Sequence, residues 1–214
     1  MSVRQAKAVR SAADFLPARK TLPALVRAAH GCQGCDLYQR ATQTVFGSGS
    51  AKARMILVGE QPGDQEDLQG KPFVGPAGRL LDEALAAAGV DRDEAYLTNA
   101  VKHFKWTPRG KRRLHAKPGS RELAACRPWL SAEIEVIGPE VIVCLGATAA
   151  QSLLGPAFRI TRERGKLLEG PLARWMLATY HPSAVLRAPD EQRRHEMRDE
   201  LFADLRVAAK AAGF

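Results

Sequence analysis

The run Lys111-Arg112-Arg113-Leu114-His115 sets a histidine at the end of a dense positive charge. Between Glu94 and Glu122 stand eight Lys or Arg residues (Lys102, Lys105, Arg109, Lys111, Arg112, Arg113, Lys117, Arg121) and no acid. Charge packed this closely can release counterions from a phosphate backbone. A histidine within it can be neutral, and therefore nucleophilic, near pH 7. Taken alone, such a run is more often a solvated basic loop.

Four other segments carry residues able to do chemistry. Gly59-Glu60-Gln61-Pro62-Gly63-Asp64 offers two carboxylates on a turn whose glycines permit close approach of a ligand. It reads equally as a turn leading into a helix cap. Lys71-Pro72-Phe73-Val74-Gly75-Pro76-Ala77-Gly78 holds an aromatic ring in a stiff segment, suited to stacking on a flat base or to filling a core. Asn99 presents a donor beside an acceptor, the complement of a pyrimidine edge with an N–H next to a carbonyl; a turn asparagine is the plain alternative. His181-Pro182-Ser183-Ala184-Val185-Leu186-Arg187 could donate to a pyrimidine carbonyl through His181. It could hold phosphates through Ser183 and Arg187, and wedge a base stack through Leu186, or it could be a turn.

Cys32-x-x-Cys35 suits zinc, an iron–sulfur cluster or dithiol redox chemistry. Of the remaining thiols, Cys126 precedes Arg127-Pro128, and Cys144 lies inside an apolar run where a free cysteine behaves as a small hydrophobe.

These residues need a frame. The 214 residues, 45% hydrophobic and with a net charge of +9, can bury one sizeable core and favour a polyanionic partner. Apolar runs at Met55–Val58, Tyr96–Leu97, Val141–Leu145 and Trp175–Ala178 are continuous, as strands buried on both faces are. Helical spacing covers 22–29, 79–88, 123–137, 147–154 and 191–212, with Gly89, Gly138 and Gly155 as stops. This alternation predicts an α/β fold, a three-layer α/β/α sandwich around a central, mainly parallel four-stranded sheet. Ligands of such sheets sit beyond the carboxyl ends of the strands, and Gly59, Asn99, Gly146 and His181 all stand there. Residues 1–20 read as a mobile basic arm and 21–214 as one domain. No apolar run is long enough to span a membrane or resembles a signal peptide. A cytoplasmic monomer is the expectation.

The ordered set Gly59-Glu60-Gln61-Pro62-Gly63, Phe73 to Gly78, Thr98-Asn99, Gly146-Ala147-Thr148 and His181-Pro182-Ser183 with Leu186-Arg187 resembles the uracil-DNA glycosylase superfamily, from about Cys32 to Arg206. Gln61, where iron–sulfur family 4 members usually carry alanine, and the Lys111–His115 run resemble the subgroup called UdgX. The resemblance implies a partner, uracil-containing DNA, single- or double-stranded. It implies His115 as a nucleophile that becomes covalently attached to the abasic deoxyribose, with Glu60, His181 and Asp64 as further catalytic residues. Gly59, Gln61, Phe73 and Asn99 would bind the substrate, and Lys111, Arg112, Arg113, Ser183 and Arg187 the DNA. It also implies a 4Fe-4S cluster on Cys32, Cys35, His103 and Cys126, with His103 where the family has its third cysteine; Cys144 is the alternative fourth ligand. Two rivals remain: a conventional multiple-turnover family 4 glycosylase, and a non-catalytic metal-containing nucleic-acid-binding module.

Overall fold

The four apolar runs become the four central strands because each is buried on both faces. A computed structural model describes residues 10–214. In chain order the elements begin with α1 (Leu22–Ala29), β1 (Ser48–Gly49), β2 (Met55–Gly59), α2 (Asp64–Gln69), α3 (Pro76–Ala87) and β3 (Tyr96–Asn99). Next come β4 (Trp106–Arg109), β5 (Arg112–His115), α4 (Ser120–Ile137), β6 (Val141–Leu145) and α5 (Ala147–Leu154). The chain continues with α6 (Ile160–Glu163), β7 (Leu168–Glu169), β8 (Trp175–Thr179), α7 (Pro182–Leu186) and α8 (Glu191–Ala212).

The sheet order is β1-β3-β2-β6-β8-β7. β3, β2, β6 and β8 run parallel, as expected; β1 and β7 add one antiparallel two-residue strand at each edge, giving six strands rather than four. Leu81 and Leu85 of α3 and Leu201 and Leu205 of α8 pack on one face. Leu130 and Ile134 of α4 and Ala149 and Ala150 of α5 pack on the other. A third apolar cluster, with Leu25, Cys32, Phe46, Cys126 and Trp129, lies outside α4. From β2 the chain moves outward to β3, then returns to place β6 on the other side of β2. That reversal opens a crevice at the carboxyl ends of the strands.

The expected arm needs correction. Residues 1–9 lie outside the described residues. Ala12–Phe15 forms a short 3-10 helix with a capping box at Ser11, and Ala12 is buried against the outer cluster, so this part of the arm is anchored. The basic run is likewise no loop. β4 and β5 pair as an antiparallel hairpin, Trp106 opposite His115. Its two-residue turn has Gly110 at φ 58 in the first central position, the pattern of a type II′ turn. Among the described residues no helix is long and apolar enough to cross a membrane.

Candidate active site

The register of the sheet sets Gly59 beside Asn99. A side chain at Gly59 would collide with Asn99 Oδ1 and with the Phe73 ring, so glycine here makes room for both. Phe73 is buried with φ 54, a left-handed backbone unusual for an aromatic residue and typical of functional sites. Its ring stacks on the His181 imidazole, with centroids 5.9 Å apart and an interplanar angle of 27°. Gly146, at φ 90, lies against the His181 Cβ at 3.1 Å, so a larger residue there would push the imidazole away.

His181 caps α7. Its Nδ1 accepts the Ser183 backbone N–H at 3.1 Å and lies 2.8 Å from Ser183 Oγ. Arg187 donates to that hydroxyl at 3.2 Å, which frees the hydroxyl proton for Nδ1. The hydrogen bonds therefore assign the imidazole proton to Nε2. Burial, with Arg187 and His115 nearby, lowers the His181 pKa to about 4, so the ring is a neutral donor at pH 7.

The Asn99 side chain is buried, and its Nδ2 has no hydrogen-bond partner. A buried orphan donor of this kind marks a place where a ligand can bond. Beside it lies Glu66. Burial pushes this carboxyl up to about 7, against the Gly63 and Phe73 backbone N–H groups, the Asn99 amide, which is nearby but makes no hydrogen bond of normal length to it, and Arg92. Below its ordinary 4.5 both folded and unfolded chains hold that proton; between 4.5 and about 7 only the folded chain does. The stability contributed is present at acid pH and lost as pH rises through about 7. Relative to wild type, Glu66→Gln should therefore gain about 3 kcal/mol on going from acid to alkaline pH. Denaturant melts on both sides of that window check it; a pH-independent difference would sink the assignment.

His115 sits at the end of β5 with Nε2 3.5 Å from Glu60 Oε1, and its ring centroid is 6.1 Å from that of Phe104. Burial lowers its pKa and Arg187 adds to that, against Glu60, and the shift favours the neutral imidazole. Gln61 holds the neck of the hairpin. Its Nε2 donates to the carbonyls of Lys105 (3.2 Å) and Ala116 (3.1 Å), and its Oε1 accepts the Lys105 N–H at 3.1 Å. Arg113 holds the body. Its Nε donates to Asp64 Oδ1 and one terminal nitrogen to Asp67 Oδ2, both at 2.6 Å, and that nitrogen also reaches Thr42 Oγ1 at 3.1 Å.

A family model described as the uracil DNA glycosylase superfamily matches residues 46–206. The chain belongs to that superfamily. It is 38% identical over 203 residues to the type-4 uracil-DNA glycosylase of Archaeoglobus fulgidus, covering 91% of this chain and 94% of the relative. The type-4 uracil-DNA glycosylase of Thermotoga maritima is 39% identical over 83% of this chain and 87% of its own length. That of Pyrobaculum aerophilum is 38% identical over 74% and 81%.

In this superfamily member the fold brings Gly59, Glu60, Phe73, Asn99, His115 and His181 together at the carboxyl ends of the strands. Four of the expected residues make contacts within the protein. Gln61 and Asp64 bond to the hairpin. Arg113 is engaged by two carboxylates. Ser183 bonds to His181. Lys111 and Arg112 are exposed at the hairpin tip, and Arg187 and Leu186 are exposed at α7. Among the described residues Arg109, Lys111, Arg112, Lys117, Arg121 and Arg187 make no ion pair, unlike Lys102, Lys105 and Arg113.

The expected metal ligands lie in and beside the outer cluster. Cys32 Sγ accepts the Trp129 indole N–H and Cys126 Sγ the Lys102 backbone N–H, both at 3.2 Å. Such donors stabilise a ligating thiolate. Burial raises the Cys35 thiol, with Cys32 adding to it, and burial pushes Cys126 up to about 12, with Cys35 and Cys32 adding to it, so the three thiols are close neighbours. Thr44 Oγ1 donates to the Ala29 carbonyl at 2.8 Å and so accepts from His103 Nε2 at 3.0 Å. That assigns the His103 proton to Nε2 and leaves Nδ1 with its lone pair, the ligating form. No three His, Cys, Asp or Glu among the described residues are grouped as for a single metal ion. The donor chemistry nonetheless fits a cluster, which spreads its ligands more widely. Cys144 is raised to about 12 by burial alone and faces α4 and α5 from within β6, apart from the other thiols.

Proposed function

We propose that this protein removes uracil from DNA by cleaving the N-glycosidic bond. The observation that carries the reading is the unpartnered Asn99 Nδ2, buried beside the stacked Phe73–His181 pair. A pyrimidine slotted against Phe73 meets the donor and acceptor of Asn99 on one edge and the Nε2–H of His181 on another. The free cations Lys111, Arg112 and Arg187 grip the backbone while the nucleotide leaves the stack. As the bond to C1′ breaks, its electron pair departs with uracil, and His181 stabilises that anion. Glu60 stabilises the positive charge left on the sugar.

The sugar has two possible fates. Hydrolysis by a water that Glu60 orients is the reading favoured by the type-4 relatives. Capture by His115 is favoured by one feature of this chain, an imidazole 3.5 Å from Glu60 whose pKa is lowered by burial. In capture a ring nitrogen lone pair bonds to C1′, and the proton on the other ring nitrogen passes to solvent. Cys32, Cys35, Cys126 and His103 would hold a 4Fe-4S cluster, whose part is to brace the segment before β1 and the root of the hairpin.

Mixing the protein with a uracil-containing oligonucleotide tests both levels. Release of free uracil, absent with a thymine control, is expected; no release overturns the excision reading. On a denaturing gel, hydrolysis leaves free protein and abasic DNA. Capture leaves a shifted protein–DNA band that His115→Ser abolishes. A band that survives His115→Ser excludes His115 as the nucleophile.

A further inference from the structure

We propose that Lys102, held by Glu133, is a positioning residue for base recognition that ties the main chain of Asn99 to the cysteine lobe. The inference rests on the excision reading above. Lys102 is fully buried, and neither the hairpin nor the pocket uses its charge for DNA. Its two ends reach two different sites. The backbone N–H donates to Cys126 Sγ at 3.2 Å. The ammonium donates to the Asn99 carbonyl at 2.8 Å, to Thr98 Oγ1 at 2.6 Å and to Glu133 Oε2 at 2.5 Å. All three ammonium donors are thereby used. Glu133, also fully buried, accepts from Tyr96 OH at 2.9 Å, Thr98 Oγ1 at 3.0 Å and the Gly47 backbone N–H at 3.1 Å.

A buried ion pair is a poor device for stability alone, since apolar residues of similar volume often do as well or better. What this one holds is specific. Thr98 and Asn99 end β3, and the peptide unit fixed by the ammonium is the one that carries the Asn99 side chain. Recognition of a base edge tolerates an error of about half an ångström. Beyond Asn99 the chain is fastened by Ala100 N–H to Gly59 O (2.9 Å) and Val101 N–H to Glu60 O (3.1 Å). Lys102 grips the same turn from inside and joins it to Cys126. The geometry makes Lys102 the point where a disturbance of the cysteine lobe is felt by Asn99.

The test is a thermodynamic cycle in the full-length protein. Lys102→Met with Glu133→Leu removes both charges, keeps much of the volume and leaves the backbone N–H to Cys126 in place. Equilibrium binding is measured to an oligonucleotide whose uridine carries a 2′-fluorine that blocks cleavage, and to its thymine counterpart. The double variant should bind the uridine oligonucleotide about tenfold more weakly, with binding to the thymine one unchanged. In an Asn99→Ala background the same pair of changes should cost nothing further, because the residue being positioned is gone. Glu133→Gln, which keeps a hydrogen-bonding side chain and removes its charge, should show the same pattern at about threefold. A loss of equal size with and without Asn99, or no uracil-selective loss in either variant, overturns the proposal. A wild-type protein that neither excises uracil nor prefers it would instead overturn the reading beneath.

Discussion

Replacing His181 by alanine should lower the single-turnover rate of uracil release by about 10²- to 10³-fold, the usual cost of losing one preorganised donor to a developing anion. Binding of uracil-containing DNA should survive, because the free cations lie elsewhere. The size of the effect follows from tautomer and charge. Ser183 N–H occupies Nδ1, so the only proton is on Nε2, already placed and needing no rearrangement as charge builds. Burial keeps the ring neutral down to about pH 4, so His181 should add no inflection near the ordinary imidazole value of about 6.5. Rapid-quench rates across that range, for wild type and variant, check both statements. A variant within a few-fold of wild type would remove His181 from the reaction.

Truncating Glu133 to alanine should destabilise the fold by about 3–5 kcal/mol, since it strands a buried ammonium together with the Tyr96 and Thr98 hydroxyls. For a domain of this size that corresponds to a fall in Tm of roughly 10 °C. Lys102→Met added to Glu133→Ala should recover part of the loss, because the stranded charge goes with it. Urea denaturation of the three proteins decides the matter. A single-variant loss below about 1 kcal/mol would mean that water or another group satisfies Lys102.

The central strands were legible because parallel strands covered on both faces read as unbroken apolar runs, as Val141–Leu145 does. β1 and β7 were not, since two half-exposed residues make no pattern. The hairpin was hidden for a related reason. It stands outside the core, so Trp106–Arg109 and Arg112–His115 carry polar residues on both faces; only Gly110 between them hinted at a turn. That Glu60, Asn99 and His181 lie near one another was legible because each stands at the end of a parallel strand; Phe73 was singled out only by its stiff proline-flanked segment. Their fastenings were not. Arg113 meets Asp64 and Asp67 across 49 and 46 residues, and no local spacing announces a pairing made by tertiary contact. Glu66 was missed because an acid in the first turn of a helix is ordinary there, and only burial makes it unusual.

The Gln61 clasp has a consequence for how such a chain can change. Its amide spans Lys105 and Ala116, which also bond each other directly, so the root of the hairpin is closed by one side chain while Arg113 ties down its body. Excising that appendage while keeping the glutamine would leave a buried amide with nothing to bind; grafting it onto a chain with alanine there would leave it unsewn. The clasp and the hairpin are thus physically coupled, and a change to one alters what the other needs.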